Sequence, residues 1–169
     1  MIPPGAPAEP IRVLLIDDEP DFLEAISFWL TSRQYHVSTA TTGEQGLELI
    51  RTFPFDVVFL DVVMPQVDGL EVLRRIRSFT KTLPVILVTA SPGNDNQFAG
   101  ARALGISGFF PKGGRLDQLS QVLDVALRMI QKSSSSSEES SRSPHDRTPL
   151  HKGLNAFRGF LKRLLPHPR

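Results

Sequence analysis

The sequence predicts an α/β domain built on a doubly wound, five-stranded parallel sheet. Two observations carry this. Between Ile11 and Lys132, short apolar runs alternate five times with segments of helical periodicity, the pattern of βα units feeding a parallel sheet with helices on both faces. The two central runs, DVVFL (56–60) and PVILVT (84–89), are almost unbroken in hydrophobicity, as strands covered on both faces must be.

In chain order, IRVLLI (11–16) is a short, partly β-branched run read as a buried strand. Phe22, Ala25-Ile26 and Trp29-Leu30 follow at helical spacing. HVSTA (36–40) is a weaker strand. Thr42 can cap the next helix, with Gln45 at capping-box distance and Leu47 and Ile50 on its apolar face. After the third strand, Pro65 and Asp68-Gly69 shape a turn in which Gly69 permits close chain approach. Leu70, Leu73 and Ile76 then give one helical face. SPGNDN after the fourth strand is loop chemistry. A short helix over 97–104 is expected to close at Gly105. GFF (108–110) is the fifth strand. The last helix carries Leu116, Leu119, Val122-Leu123, Ala126-Leu127 and Ile130.

Composition narrows the classes. The chain has no cysteine, which excludes disulfides and thiolate metal sites. No apolar stretch approaches the ~20 residues that span a bilayer. The Pro-rich start, residues 1–10, lacks the basic and apolar regions of a secretory signal and reads as a disordered lead-in; a cytoplasmic location is expected. Residues 11–132 carry 12 Lys/Arg against 14 Asp/Glu, whereas from Arg142 onward there are seven Lys/Arg and one acid. Residues 133–149 read as a Ser-rich flexible linker. Beyond it, Leu150, Leu154, Phe157, Leu161 and Leu164 recur at helical spacing beside Lys152, Arg158, Lys162 and Arg163. That makes 150–165 a candidate basic amphipathic helix, suited to a protein groove or a membrane surface.

In doubly wound sheets function collects at the C-terminal ends of the strands. The first strand ends in Asp17-Asp18 with Glu19 next, the third in Asp61 and the fourth in Thr89; Lys112 follows the fifth. Carboxylates crowded together repel unless a cation sits among them. With no Cys or His at these ends, hard oxygen ligands dominate, which favours Mg²⁺. A carboxylate in such a site can attack a phosphoryl group and form an acyl phosphate. Asp61, single and central, is the expected nucleophile. Thr89 and Lys112 are placed to hold phosphoryl oxygens.

The segments VLLIDDEP, LDVVMPQVDG, VILVTAS and GFFPKG together resemble the receiver domain of bacterial two-component response regulators, over about residues 10–132. The resemblance implies a flavodoxin-like (βα)5 fold with Asp61 as phosphoacceptor. It also implies an acidic pair of Asp17 and Asp18, Mg²⁺ held by Asp18, Asp61 and the backbone carbonyl of Val63, a switch hydroxyl at Thr89, an aromatic switch residue at Phe109, and Lys112 as the phosphate-binding lysine. The implied partner is a histidine kinase or phosphotransfer protein, and the implied output is a protein target bound through a switched surface. Such domains catalyse only their own phosphorylation and dephosphorylation. They also pair as homodimers, an option the sequence leaves open. The tail is too short for a DNA-binding domain, so no specific DNA binding is expected.

Three departures from the family pattern stand out. The order Phe110-Pro111-Lys112-Gly113 inverts the common Lys-Pro, and a cis bond before Gly113 would cost ~3 kcal/mol, so a differently shaped loop is expected. Phe109 has no hydroxyl to anchor either switch state. Val63 and Ser91 offer no acid or amide to orient water, which predicts slow self-dephosphorylation. Two alternatives remain on the sequence: a phosphate sink that binds no target, and a phosphohydrolase with an Asp nucleophile, against which stand the run Asp17-Asp18-Glu19-Pro20 in place of D-x-D and the lack of room for a cap domain.

Overall fold

The computed structural model describes residues 10–65, 67–90 and 95–135. The lead-in before Pro10, Ser91 and the candidate helix at 150–165 lie outside the described residues.

Ten elements alternate: β1 (Arg12–Ile16), α1 (Pro20–Thr31), β2 (His36–Ala40), α2 (Gly43–Thr52), β3 (Val57–Asp61), α3 (Gly69–Phe79), β4 (Val85–Thr89), α4 (Asp95–Ala103), β5 (Gly108–Pro111) and α5 (Leu116–Ser135). The strands form one parallel sheet in the order β2-β1-β3-β4-β5. Each sequence-predicted strand appears, and the flavodoxin-like order puts the switch point between β1 and β3. The strand boundaries agree to within one residue, and two helices differ by more. α4 takes in Asp95 and Asn96, expected as loop, and α5 runs to Ser135, three residues past Lys132.

Strand alternation divides the core in two. Leu14, Ile16, Val58, Leu60, Val85 and Leu87 face Leu47 of α2, Leu73 and Ile76 of α3 and Ala101 of α4. Val13, Leu15, Val57, Phe59, Ile86, Val88 and Phe110 face Leu23, Ile26 and Leu30 of α1 and Leu119, Leu123 and Ala126 of α5. Every residue of β3 and β4 is buried, and full burial of each of their apolar side chains stabilises the fold by roughly 1.5–3 kcal/mol.

Helix starts follow local chemistry. Thr42 Oγ1 accepts from the Gln45 N–H at 3.2 Å, and Gln45 Oε1 returns to the Thr41 N–H at 3.1 Å, so the box closes one residue earlier than a strict capping box. Asp68 caps α3 through the Leu70 N–H at 2.9 Å. Glu19 stands at the N-cap of α1, yet its side chain makes no capping bond.

Arg77 is a feature the sequence reading did not single out. It lies on the apolar face of α3, four residues after Leu73, and is buried. Its guanidinium donates at 2.9 Å to the carbonyls of Leu104, Leu83 and Gly105, with Thr80 O at 3.5 Å. Burial pulls its pKa below the usual guanidinium range. The side chain therefore ties the end of α3 to the end of α4 and the entry to β4, at the sheet edge opposite the strand C-termini.

Candidate functional site

The register assembles the site. Ile16 pairs with Leu60, so Asp17, one residue past β1, stands level with Asp61 at the end of β3. Asp61 pairs with Val88, and Thr89 pairs with Pro111, which delivers Lys112 one step further. The Asp17 N–H donates to Ala40 O at 3.1 Å and the Val62 N–H to Val88 O at 2.9 Å, fixing both strand ends in the sheet.

Gly69 allows the chain to fold back on Asp61. Its N–H donates to Val62 O at 3.0 Å. A Cβ there would fall 2.0 Å from the Asp61 carbonyl oxygen and 2.8 Å from Val62 Cα. Only glycine fits against backbone at that distance.

The loop carrying Lys112 is a tight turn. The Gly114 N–H donates to Pro111 O at 2.8 Å, and Gly113 has φ of 81°, the positive value a type II turn requires at its third position. No cis peptide bond occurs among the described residues, so the inverted Pro-Lys-Gly order is met by the glycine. The Lys112 N–H donates to Thr89 O at 2.7 Å, which anchors the turn on β4.

The Lys112 ammonium bridges three carboxylates. It donates to Asp17 Oδ1 at 3.0 Å, Asp61 Oδ2 at 3.0 Å and Glu19 Oε1 at 2.6 Å. Asp17 and Asp61 are buried, while the Glu19 side chain is 60% exposed. Asp61 Oδ1 also accepts from the Val63 N–H at 3.2 Å, and Asp17 Oδ1 from the Glu19 N–H at 2.9 Å.

Burial pushes the Asp61 carboxyl above the ordinary carboxylate range; Lys112 and the Val63 N–H pull it down, and the charge of Asp18 adds to the rise. Burial likewise raises Asp17, against the Glu19 N–H and Lys112 and with Asp61 adding to the rise. For Lys112, burial disfavours the charge, but hydrogen bonds to Glu19, Asp17 and Asp61 outweigh it and hold the ammonium above its usual range. These carboxylates thus reside where their ionised forms need positive charge.

A divalent cation fits this chemistry. Asp17 Oδ2 is buried and accepts no hydrogen bond, although the Lys112 ammonium, directed at Oδ1, is 2.9 Å away. Asp17, Glu19 and Asp61 each bring an oxygen within 4.8 Å of the others. All-oxygen, carboxylate-rich ligation suits Mg²⁺. Asp18 was expected among the ligands, but Glu19 takes the third place in this trio. Glu19 lies two residues from Asp17 with an extended backbone, which favours the same side of the chain; Asp18, half-buried, acts on Asp61 through its charge.

The remaining predicted residues sit around this centre. Thr89 is buried at the end of β4. Phe109 is half-buried against the cluster formed with α2, α3 and α4, and the Arg102 guanidinium lies 5.8 Å from its ring centroid. Val63 is 71% exposed at the rim beside Asp61. The Phe22 ring lies 5.3 Å from the Lys112 ammonium.

Comparison with known proteins agrees with this geometry. Residues 13–124 match the response regulator receiver domain. The response regulator MprA of Mycolicibacterium vanbaalenii is 36% identical over 119 residues, 70% of this chain and 51% of that protein. The transcriptional regulatory protein GlrR of Escherichia coli is 34% identical over 119 residues, 70% of this chain and 27% of its own length. The chain thus spans about half the length of the first of these relatives and less of the second. Among solved structures, the chemotaxis protein CheY4 of Vibrio cholerae is similar with a TM-score of 0.66 at 28% identity, covering 70% of this chain and 99% of that one. The response regulator TrrA of Thermotoga maritima, solved in complex with Mg²⁺-BeF, is similar with a TM-score of 0.62 at 30% identity, covering 69% and 99%. With the family's acidic pocket and lysine at the C-terminal edge of a 2-1-3-4-5 sheet, the chain belongs to the response regulator receiver domain family.

Proposed function

We propose that this domain accepts a phosphoryl group on Asp61 from a histidine kinase or phosphotransfer protein and, in doing so, switches a protein-binding surface. The observation that carries the proposal is the Lys112 ammonium spanning the buried carboxylates of Asp17 and Asp61. A carboxylate oxygen of Asp61 attacks phosphorus as the bond from phosphorus to the donor imidazole nitrogen breaks, the electron pair leaving with that nitrogen. The product is an aspartyl phosphate; water later returns the carboxylate and inorganic phosphate.

Bound Mg²⁺ would neutralise the negative charge that gathers as the phosphoryl group meets the carboxylates. Asp17, Asp18, Asp61 and the Val63 carbonyl would hold it, with Glu19 completing the acidic surround. The chain's own groups do the remainder. The Val63 N–H and Lys112 orient Asp61, and the sheet edge keeps its carboxylate facing the donor. Thr89, buried beside the Lys112 turn, is the proposed switch hydroxyl. Phe109 on β5 would follow it by a population shift between two packings. Catalysis is confined to the domain's own phosphorylation and dephosphorylation, and output runs through protein contact. A homodimer and a role as phosphate sink are alternative outputs of the same chemistry.

The test is labelling with a small-molecule phosphodonor in Mg²⁺, read by intact mass. Gain of one phosphoryl group in the native protein and none in Asp61→Asn is the expected result. Turnover of a generic phosphomonoester that survives Asp61→Asn would instead favour a phosphohydrolase.

A further inference from the structure

The phosphoacceptor reading gives Glu19 only a place in the acidic surround of the cation, and the geometry of Lys112 supplies a further role. An ammonium has three N–H donors. In this structure Asp17, Asp61 and Glu19 take all three. Any new acceptor on Lys112 must displace one of them.

The three contacts are unequal to give up. The Asp17 and Asp61 side chains are each 2% exposed, and separating the cation from either would leave a buried carboxylate without its counter-charge. The Glu19 side chain is 60% exposed, so water replaces the ammonium there at little cost. Nor does α1 depend on this carboxylate. Glu19 makes no capping bond with its side chain, and Pro20 at the start of the helix has no N–H to be satisfied.

We propose that Glu19 is a positioning residue that holds the Lys112 ammonium and yields it to the arriving phosphoryl oxygens, so that it sets how readily Asp61 is loaded. The inference rests on the proposed role of Asp61 and deepens it. Glu19 keeps the lysine pointed into the site while competing with the phosphoryl group for it.

The experiment is a titration with beryllofluoride at saturating Mg²⁺, followed by the ¹⁹F resonance of the bound species, on the native protein, Glu19→Gln, Glu19→Asp and Asp61→Asn. The Mg²⁺ affinity of each is measured first without beryllofluoride. Glu19→Gln is expected to bind beryllofluoride about two- to five-fold more tightly, the range carried by an ion pair open to solvent. Glu19→Asp, which keeps the charge but is shorter by one methylene, is expected to tighten binding as well. Equal or weaker binding by Glu19→Gln overturns the proposal. Tightening by Glu19→Gln alone overturns it too, because repulsion by the charge would then suffice. Should Glu19→Gln fail to fold, equal or weaker binding by Glu19→Asp overturns the proposal by itself. Failure of the native protein to bind, or binding that persists in Asp61→Asn, would instead sink the phosphoacceptor reading and this inference with it.

Discussion

Replacing Arg77 by Met tests how the far end of the sheet is held. The side chain is buried and donates to three carbonyls at 2.9 Å, those of Leu104, Leu83 and Gly105, with a weaker contact at 3.5 Å to Thr80. Hydrogen bonds from a charged donor contribute roughly 1.5–3 kcal/mol each, offset by the cost of burying the ion. Methionine of similar length removes that cost but leaves three carbonyls without a donor, each costing about 1 kcal/mol once some water enters. The balance is a loss of about 3 kcal/mol, from a total that for most domains is about 5–15 kcal/mol. At roughly 3–4 °C per kcal/mol for a domain of this size, Tm should fall by about 10 °C. Arg77→Lys, which reaches fewer carbonyls, should fall between. Urea unfolding at 25 °C, followed by circular dichroism, measures the difference. A Met variant within about 0.5 kcal/mol of the native protein would refute the reasoning, since a surface substitution costs no more.

Asp61→Asn should raise Tm at neutral pH. The folded Asp61 pKa lies above its unfolded value, chiefly because of burial. Its favourable contribution is therefore complete below the unfolded pKa of about 3.9 and is lost as pH rises through the folded pKa. Asparagine does not ionise, so melting in EDTA should show a gap in its favour near pH 7.5 that closes toward pH 4; a gap that widens on acidification would contradict this. Gly69→Ala should lower stability by about 1–3 kcal/mol and reduce Asp61 labelling further, because the new methyl would meet backbone at 2.0 Å and displace Asp61, the proposed phosphoacceptor. Gly100→Ala in α4 is the control: nothing lies within 4 Å of its added Cβ, and urea unfolding should show it equal to or slightly more stable than the native protein.

Most of the frame was legible because it rests on period and position. Strand-length apolar runs, helical spacing and turn residues are local signals, and they placed all five strands and the strand-end residues Asp17, Asp61, Thr89 and Lys112. The close approach at Gly69 was legible for the same reason, from an Asp-Gly pair after a strand. Glu19 was visible beside the Asp17-Asp18 pair but drew no role of its own, because its partner is 93 residues away. Arg77 carried one signal, its place on the apolar face of α3, but three of its partners are carbonyls of loops whose meeting is non-local.

The sequence by itself determined the α/β class, the five βα units and the residue types gathered at one edge, since hydrophobic period and turn chemistry act over a few residues. Tertiary structure decided the rest. The register Ile16–Leu60 and Thr89–Pro111 brought the Lys112 ammonium to 3.0 Å from both Asp17 and Asp61. It also brought Glu19 to the lysine as the third carboxylate. Those outcomes depend on strand order and on which carboxylates lose water, and neither is written in any short stretch of chain.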